Sequence, residues 1–181
     1  MNYGAIKKHD IANGDGVRVS LFVSGCPYHC KGCFNPETWD YDYGQPFTVD
    51  TIYEILEALD KPYIQGLSVL GGEPLDPKNI KTVGLLLQMV RLKFGQTKDV
   101  WLYTGQDFER AYNTDDGGFA NLILALEFRL GGGVTGLVDV IVDGPFIEEQ
   151  KDPSLWFKGS SNQRIIDVKK SKEIGKVVIR Q

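Results

Sequence analysis

All three cysteines of this chain fall within one short run, Cys26-Pro27-Tyr28-His29-Cys30-Lys31-Gly32-Cys33. A disulfide framework spreads its cysteines to close loops and normally uses an even number; a tight, odd-numbered cluster points to metal or redox chemistry. The spacing C-x3-C-x2-C puts three thiolates on one loop. They can bind three irons of a cubane cluster and leave the fourth iron without a protein ligand. Clusters that only carry electrons usually have four protein ligands, whereas an open iron can bind a substrate directly, as catalytic metal sites keep an open position. A zinc site is the alternative, with His29, His9 or an acidic residue as fourth ligand. Structural zinc sites pair two separated ligand pairs, and this chain has no second Cys or His pair. The spacing therefore favours an iron–sulfur cluster over zinc, with buried structural cysteines third. His29 is expected to be an exposed or hydrogen-bonded loop residue.

The loop needs elements to hold it. Arg18 to Val23 alternates apolar with polar residues and runs into Ser24-Gly25-Cys26, which reads as a strand feeding the cysteines, and the loop continues to about Pro46. Thr51-x-x-Glu54 has the form of a capping box, and Ile52, Ile55, Leu56 and Leu59 follow at helical spacing before Pro62. Leu67 to Leu70 is a short apolar strand that meets the breakers Gly71-Gly72-Glu73-Pro74. Asn79 is a candidate cap for a helix carrying Ile80, Val83, Leu87 and Val90, and Val100 to Tyr103 is the next strand, stopping at Thr104-Gly105. A weak helix is expected near Phe108 to Tyr112, a loop at Asp115 to Gly118, and a helix over Phe119 to Phe128 closed by Gly131 to Gly133. Val138 to Val142 is a further strand, ending in Asp143-Gly144-Pro145-Phe146. The tail holds strand-like runs at Ile165 to Val168 and Val177 to Ile179 around a lysine-rich stretch.

This βαβα order predicts an α/β fold: a single-domain, curved or open, mostly parallel sheet with outer helices. Cys26 to Cys33, Gly71 to Pro74, Tyr103 to Gly105 and Asp143 to Pro145 all follow the C-terminal end of a predicted strand, the rim where α/β sheets place active sites.

The 181 residues, 42% hydrophobic and 24% charged, fit one compact domain over 1–181, with Asn113 to Gly136 as an insertion and a short tail from about 169. A net charge of −4 without long charged blocks points away from nucleic acid and anionic membranes. The longest apolar runs, such as Leu122 to Leu126, are far below the ~20 residues that span a bilayer. The N-terminus lacks the basic-then-apolar pattern of a signal peptide. A cytoplasmic protein is expected. There is no internal repeat.

C-x3-C-x2-C followed by Gly71-Gly72-Glu73-Pro74 resembles the radical S-adenosylmethionine (SAM) superfamily, whose fold is a partial (β/α) barrel. Asn13 to Arg18 and Phe22 to Cys26 resemble the glycyl-radical-enzyme activases within it, and Cys33-Phe34-Asn35 matches their Cys-aromatic-Asn ending. Gly44 to Thr48, Asp143 to Phe146, Asp152 to Leu155 and Gly159 to Arg164 are similar to the activases that serve anaerobic (class III) ribonucleoside-triphosphate reductases. The match covers most of residues 1–168 in order.

The resemblance implies one [4Fe-4S] cluster on Cys26, Cys30 and Cys33, with SAM chelating the open iron through its amino and carboxylate groups. An electron from the reduced cluster would cleave SAM to methionine and a 5′-deoxyadenosyl radical, which takes hydrogen from a backbone glycine of the reductase's large catalytic subunit. A low-potential donor such as a flavodoxin is implied as a second partner. Gly71, Gly72 and Glu73 would lie near the methionine amino group, with Glu73 or neighbouring carbonyls accepting from the ammonium. Gly32, Cys33 and Phe34 would pass the adenine. Gly32 stands where many members carry an aromatic residue.

Thr104 and Asp143 are candidates for ribose or amino-acid contacts, or equally for capping the turns they begin. Arg18 is a candidate for the cluster or the SAM carboxylate, with a salt bridge as the plainer role. Asp15 replaces a proline frequent in the family. Gly159 to Arg164 would either dock the partner or close the barrel. No catalytic side chain beyond the cluster ligands is implied. Two rivals remain at this point: a radical SAM enzyme acting on a small molecule, such as one that contracts a pterin ring, and a non-catalytic zinc-binding module.

Overall fold

The computed structural model describes residues 1–108 and 137–180. Among them, seven strands form one sheet in the order β3-β1-β2-β4-β5-β6-β7. The strands are β1 (Asn2–Asp10), β2 (Val17–Val23), β3 (Gln45–Pro46), β4 (Ile64–Gly71), β5 (Asp99–Tyr103), β6 (Val140–Asp143) and β7 (Arg164–Asp167). The helices are α1 (Val49–Leu59), α2 (Ile80–Phe94) and α3 (Val168–Ile174). The weak helix expected near Phe108 to Tyr112, apart from Phe108 itself, the loop at Asp115 to Gly118, the helix over Phe119 to Phe128 with its closing glycines, and the insertion from Asn113 to Gly136 lie outside the described residues. Among the described residues no helix is long and apolar enough to cross a membrane.

The expectation of a mostly parallel sheet holds only for its centre. β2, β4, β5 and β6 run parallel to one another, but β1 is antiparallel to both β2 and β3, and β7 is antiparallel to β6. The sheet is therefore open and mixed. β1 escaped the sequence reading because its pairing with β2 carries two irregularities, between Tyr3 and Ala5 and between Lys7 and Asp10. Each insertion resets which face a residue points to, so no period of two survives in Asn2 to Asp10. The six residues 11–16 that join β1 to β2 are too few for a parallel crossover, which takes a dozen or more, and so impose the antiparallel pairing.

Alternation along the central strands sorts residues onto two faces. Val19, Leu21 and Val23 of β2, Leu67 and Val69 of β4, and Val100 and Leu102 of β5 face Ile52, Ile55, Leu56 and Leu59 of α1 and Val83, Leu86, Leu87 and Val90 of α2. Each such side chain contributes about 1.5–3 kcal/mol when taken from water. On the other face Trp101, Val140 and Val142 pack with Tyr103, Phe157 and Ile165.

The helix boundaries carry three corrections. α1 is capped by Thr48, not Thr51: the Thr48 hydroxyl accepts from the Thr51 backbone N–H at 3.4 Å and the Thr51 hydroxyl accepts from the Thr48 N–H at 3.1 Å. Threonine at the third helical position thus does what glutamate does in the usual capping box. Glu54 instead pairs with Lys8 of β1. Asn79 precedes α2 but makes no side-chain cap, for its backbone is already helical. In the tail, Val168 opens a helix rather than ending a strand, and the lysine-rich stretch belongs to α3, whose first turn is capped by the Asp167 carboxylate. From the Val177 to Ile179 run, Ile179 forms an isolated bridge to Ile166.

Candidate metal centre

β2 delivers Ser24 and Gly25 to the cysteine loop, and the segment after the cysteines returns to hold them. Pro36–Trp39 forms a short 3-10 helix whose last carbonyls receive the chain: Gly25 N–H donates to the Thr38 carbonyl at 2.8 Å and Cys26 N–H to the Trp39 carbonyl at 3.2 Å. Gly25 sits at φ +94 with the Tyr41 ring where a side chain would go, so both its backbone and its surroundings require glycine. Tyr41 in turn donates its hydroxyl to Asp76 at 2.8 Å. The His29 ring stacks on Trp39 with centroids 4.8 Å apart. On the other side, Lys31 bonds Glu148 at 2.8 Å, and Phe34 meets Phe146 edge-on at 5.2 Å.

The next loop is tied directly to this one. Glu73 N–H donates to the Gly25 carbonyl at 2.8 Å, and Gly72, whose N–H donates to the Val23 carbonyl at 2.7 Å, approaches the Gly25 carbonyl so closely that a side chain would meet it. Gly71 closes β4 opposite Val23. Asn79 Nδ2 lies 2.9 Å from the Ser24 carbonyl, 3.3 Å from that of Gly25 and 3.0 Å from that of Glu73, so it links the two loops.

The Glu73 side chain is buried, and its oxygens are engaged. Oε1 accepts from Leu75 N–H at 2.9 Å and from the Thr104 hydroxyl at 2.8 Å, and Oε2 accepts from Gly105 N–H at 2.8 Å. Burial pushes its carboxyl up to about 7 against the three donors, with Asp76 adding to the rise. The carboxylate is thus a strut joining the loops after β4 and β5.

The other candidates sort by place. Thr104 also accepts from Gln106 N–H at 3.1 Å, so its hydroxyl begins the turn after β5 while bracing Glu73. Asp143 is buried at the end of β6, where it pairs with Arg164 of β7 and accepts from Phe108 N–H. Arg18 is fully buried at the opposite end of β2 from the cysteines. There it donates to the Ser68 hydroxyl and the Leu67 and Asp15 carbonyls and pairs with Asp99, so the plainer salt-bridge role is the one found. Phe34 is 59% exposed, with Lys151 over its ring. Gly159 to Arg164 folds back on the loop after β6. Gln163 Nε2 donates to the Gly144 carbonyl at 3.0 Å, Asn162 Nδ2 to the Pro145 carbonyl at 2.8 Å, and Gly159 lies against Phe34 and Phe146. Sequence reasoning missed Trp39, Tyr41 and Asn79 as supports. Three aromatics in a loop without periodicity, Trp39, Tyr41 and Tyr43, were the available signal.

The three thiols suit an iron–sulfur cluster. None is in a disulfide, and each is partly accessible. Burial raises Cys26 to about 11 and raises Cys30 as well, while the Tyr28 and His29 backbones at Cys26 and the Phe146 backbone at Cys30 oppose the rise. Backbone donors aimed at sulfur favour thiolates, and the positive charge of metal overcomes the burial penalty, since a coordinating thiol is deprotonated outright. A single zinc ion fits less well. It draws its ligands to about 2.0–2.3 Å, and among the described residues no three Cys, His or acidic side chains are grouped to hold one ion. His29 is stacked on Trp39, and His9 bonds Tyr63 at 3.1 Å.

Comparison with known proteins places the chain. Residues 12–166 match the family model described as a 4Fe-4S single cluster domain. The anaerobic ribonucleoside-triphosphate reductase-activating protein of Enterobacteria phage T4 is 41% identical over 165 residues, covering 91% of this chain and 93% of its own. The protein of the same name from Escherichia coli K12 is 40% identical over 165 residues, covering 90% and 96%. That of Vibrio cholerae serotype O1 is 39% identical over 167 residues, covering 91% and 97%.

Proposed function

The chain belongs to the 4Fe-4S single cluster domain family, alongside the anaerobic ribonucleoside-triphosphate reductase-activating proteins, and from that premise we propose that it activates such a reductase. The reaction is the reductive cleavage of SAM, used to generate a glycyl radical on the large catalytic subunit. Bound to Cys26, Cys30 and Cys33, a [4Fe-4S] cluster supplies the low-potential electron and an open iron for SAM, the hard chemistry that cofactors carry. An external donor of the flavodoxin type would recharge it.

The observation that carries this reading is the hydrogen bonding of Glu73. Its backbone N–H reaches the Gly25 carbonyl and its carboxylate reaches Thr104 and Gly105, so the loops after β2, β4 and β5 form one rim beside the cysteines. With that carboxylate engaged, the acceptors for the SAM ammonium are the backbone carbonyls around Gly71 and Gly72. Gly32 to Phe34 offers backbone groups to the adenine edge, and Phe34, turned outward to Phe146, does not stack on it. Thr104 and Asp143 act by fixing this rim. The central parallel strands are the part of the sheet that a partial (β/α) barrel would share. The two rivals lose ground, because both histidines have other partners and the relatives' names specify a protein to be activated.

The test is anaerobic. Cluster is reconstituted, reduced with dithionite and given SAM, and 5′-deoxyadenosine is assayed with a Cys26, Cys30 and Cys33 to alanine variant as control. Product from the wild type alone, followed by a glycyl radical signal when an anaerobic reductase is added, is the expected result. Uptake of zinc with SAM left intact would overturn it.

A further inference from the structure

Phe34 follows the last cysteine and is held more firmly than its exposure requires. At 59% exposed its ring gains little from burial, yet three residues from beyond β6 fix where it lies. Phe146 meets it edge-on at 5.2 Å, Lys151 Nζ stands 4.7 Å from its centroid, and the Gly159 backbone lies against it. A Cβ on Gly159 would come within 2.7 Å of the Phe34 ring and 3.0 Å of the Phe146 ring. Gly159 is pinned in that place. Its N–H donates to Gln163 Oε1 at 2.8 Å, and its carbonyl accepts from the Asp152 N–H at 3.4 Å. The peptide that leaves Phe34 carries the Asn35 N–H, which donates to Cys33 Sγ at 3.4 Å. On its far side the Asn35 carbonyl accepts from the Thr38 N–H at 3.0 Å and the Thr38 hydroxyl at 2.7 Å.

We propose that Phe34 is a positioning residue of the cluster site: wedged against Phe146 and Gly159, its ring sets the peptide whose N–H bonds the Cys33 sulfur. The inference rests on the cluster reading above. The loop after β6 and the closing segment thereby act on a cysteine that Gly159 itself does not touch. Gly159 is glycine for room and not for backbone freedom, since its φ, unlike the +71 of Gly32, lies outside the left-handed region. Hydrogen bonds to the sulfurs of a cluster stabilise the reduced state, which carries the extra negative charge, so a displaced Asn35 N–H lowers the reduction potential.

Gly159→Ala sets one methyl group against the Phe34 ring without altering a cysteine or straining the backbone. The variant and wild type are reconstituted, and iron and sulfide are counted. The one-electron midpoint and the g-values of the reduced cluster are then read by electron paramagnetic resonance during an anaerobic titration. The expected result is full loading, altered g-values and a reduction equilibrium shifted about threefold or more toward the oxidised cluster. In a Phe34→Ala background the same substitution should change neither quantity, because the ring it pushes is gone. A wild-type midpoint in Gly159→Ala, or an equal shift with and without the Phe34 ring, would overturn the inference while leaving the cluster in place. A wild type that assembles no cluster would bring down both readings. If Gly159→Ala does not fold, Phe146→Ala removes the other wall against Phe34. A lowered midpoint there supports the wedge, and the wild-type midpoint overturns it.

Discussion

Glu73 shows how one side chain can be chemically suggestive and structurally occupied. Its oxygens hold three donors from two loops, and burial lifts its carboxyl from 4.5 to about 7. A folded-state value above the unfolded one means the native state keeps a proton that the unfolded chain has released. The contribution to stability is therefore complete below pH about 4.5 and is lost as pH rises through about 7. In Glu73→Gln this pH dependence should vanish, and an amide NH2 facing a backbone N–H should cost about 1–3 kcal/mol. Urea unfolding of the cluster-free proteins across that range checks both, and parallel pH profiles would refute the first. Gly25→Ala tests the neighbouring turn. With φ at +94 and the Tyr41 ring in the way, it should lose roughly 1–3 kcal/mol from backbone strain alone and bind less iron on reconstitution.

At the scale of the element, α1 separates the residue that caps from the one that only fits the pattern. Thr48→Ala removes an acceptor from the first turn and should destabilise by about 1 kcal/mol. Glu54→Ala removes only the surface pair with Lys8 and should leave the urea midpoint where it was. Equal losses in the two variants would return the cap to Thr51 and Glu54. The strands show a similar division. β2, β4 and β5 advertise themselves through apolar alternation because one face of each packs on α1 and α2, whereas β1 is mostly half-buried or exposed and irregularly paired.

Among the described residues, the parallel centre aligns four loops on one rim, and antiparallel strands flank it on either side of the open sheet. Arg164 of β7 links the closing segment to the rim by pairing with Asp143, which is 1% exposed at its side chain. Arg164→Met would leave that carboxylate buried with its charge uncompensated, a loss of about 3 kcal/mol in urea unfolding. The segment from Gly144 to Gln163 should then be cut faster by protease. Unchanged cleavage would show that Asn162 and Gln163 hold it without the ion pair.

The sequence by itself determined the cysteine spacing, the order of the central strands and helices, and the placing of four polar loops at strand ends, because these rest on local periodicity and on breakers that act over a few residues. Only the tertiary structure decided what the long-range contacts do. It made Asn79 a link between loops rather than a cap, joined the Glu73 carboxylate to the loop after β5, and set Arg18 in the salt bridge that was its plainer role, at the far end of β2. Each of these side chains bonds partners more than thirty positions away, and hydrogen bonds over that separation leave no periodic trace in the chain. β1 and the antiparallel flanks were hidden for a related reason: pairing irregularities and exposure erase the alternation by which a strand is read.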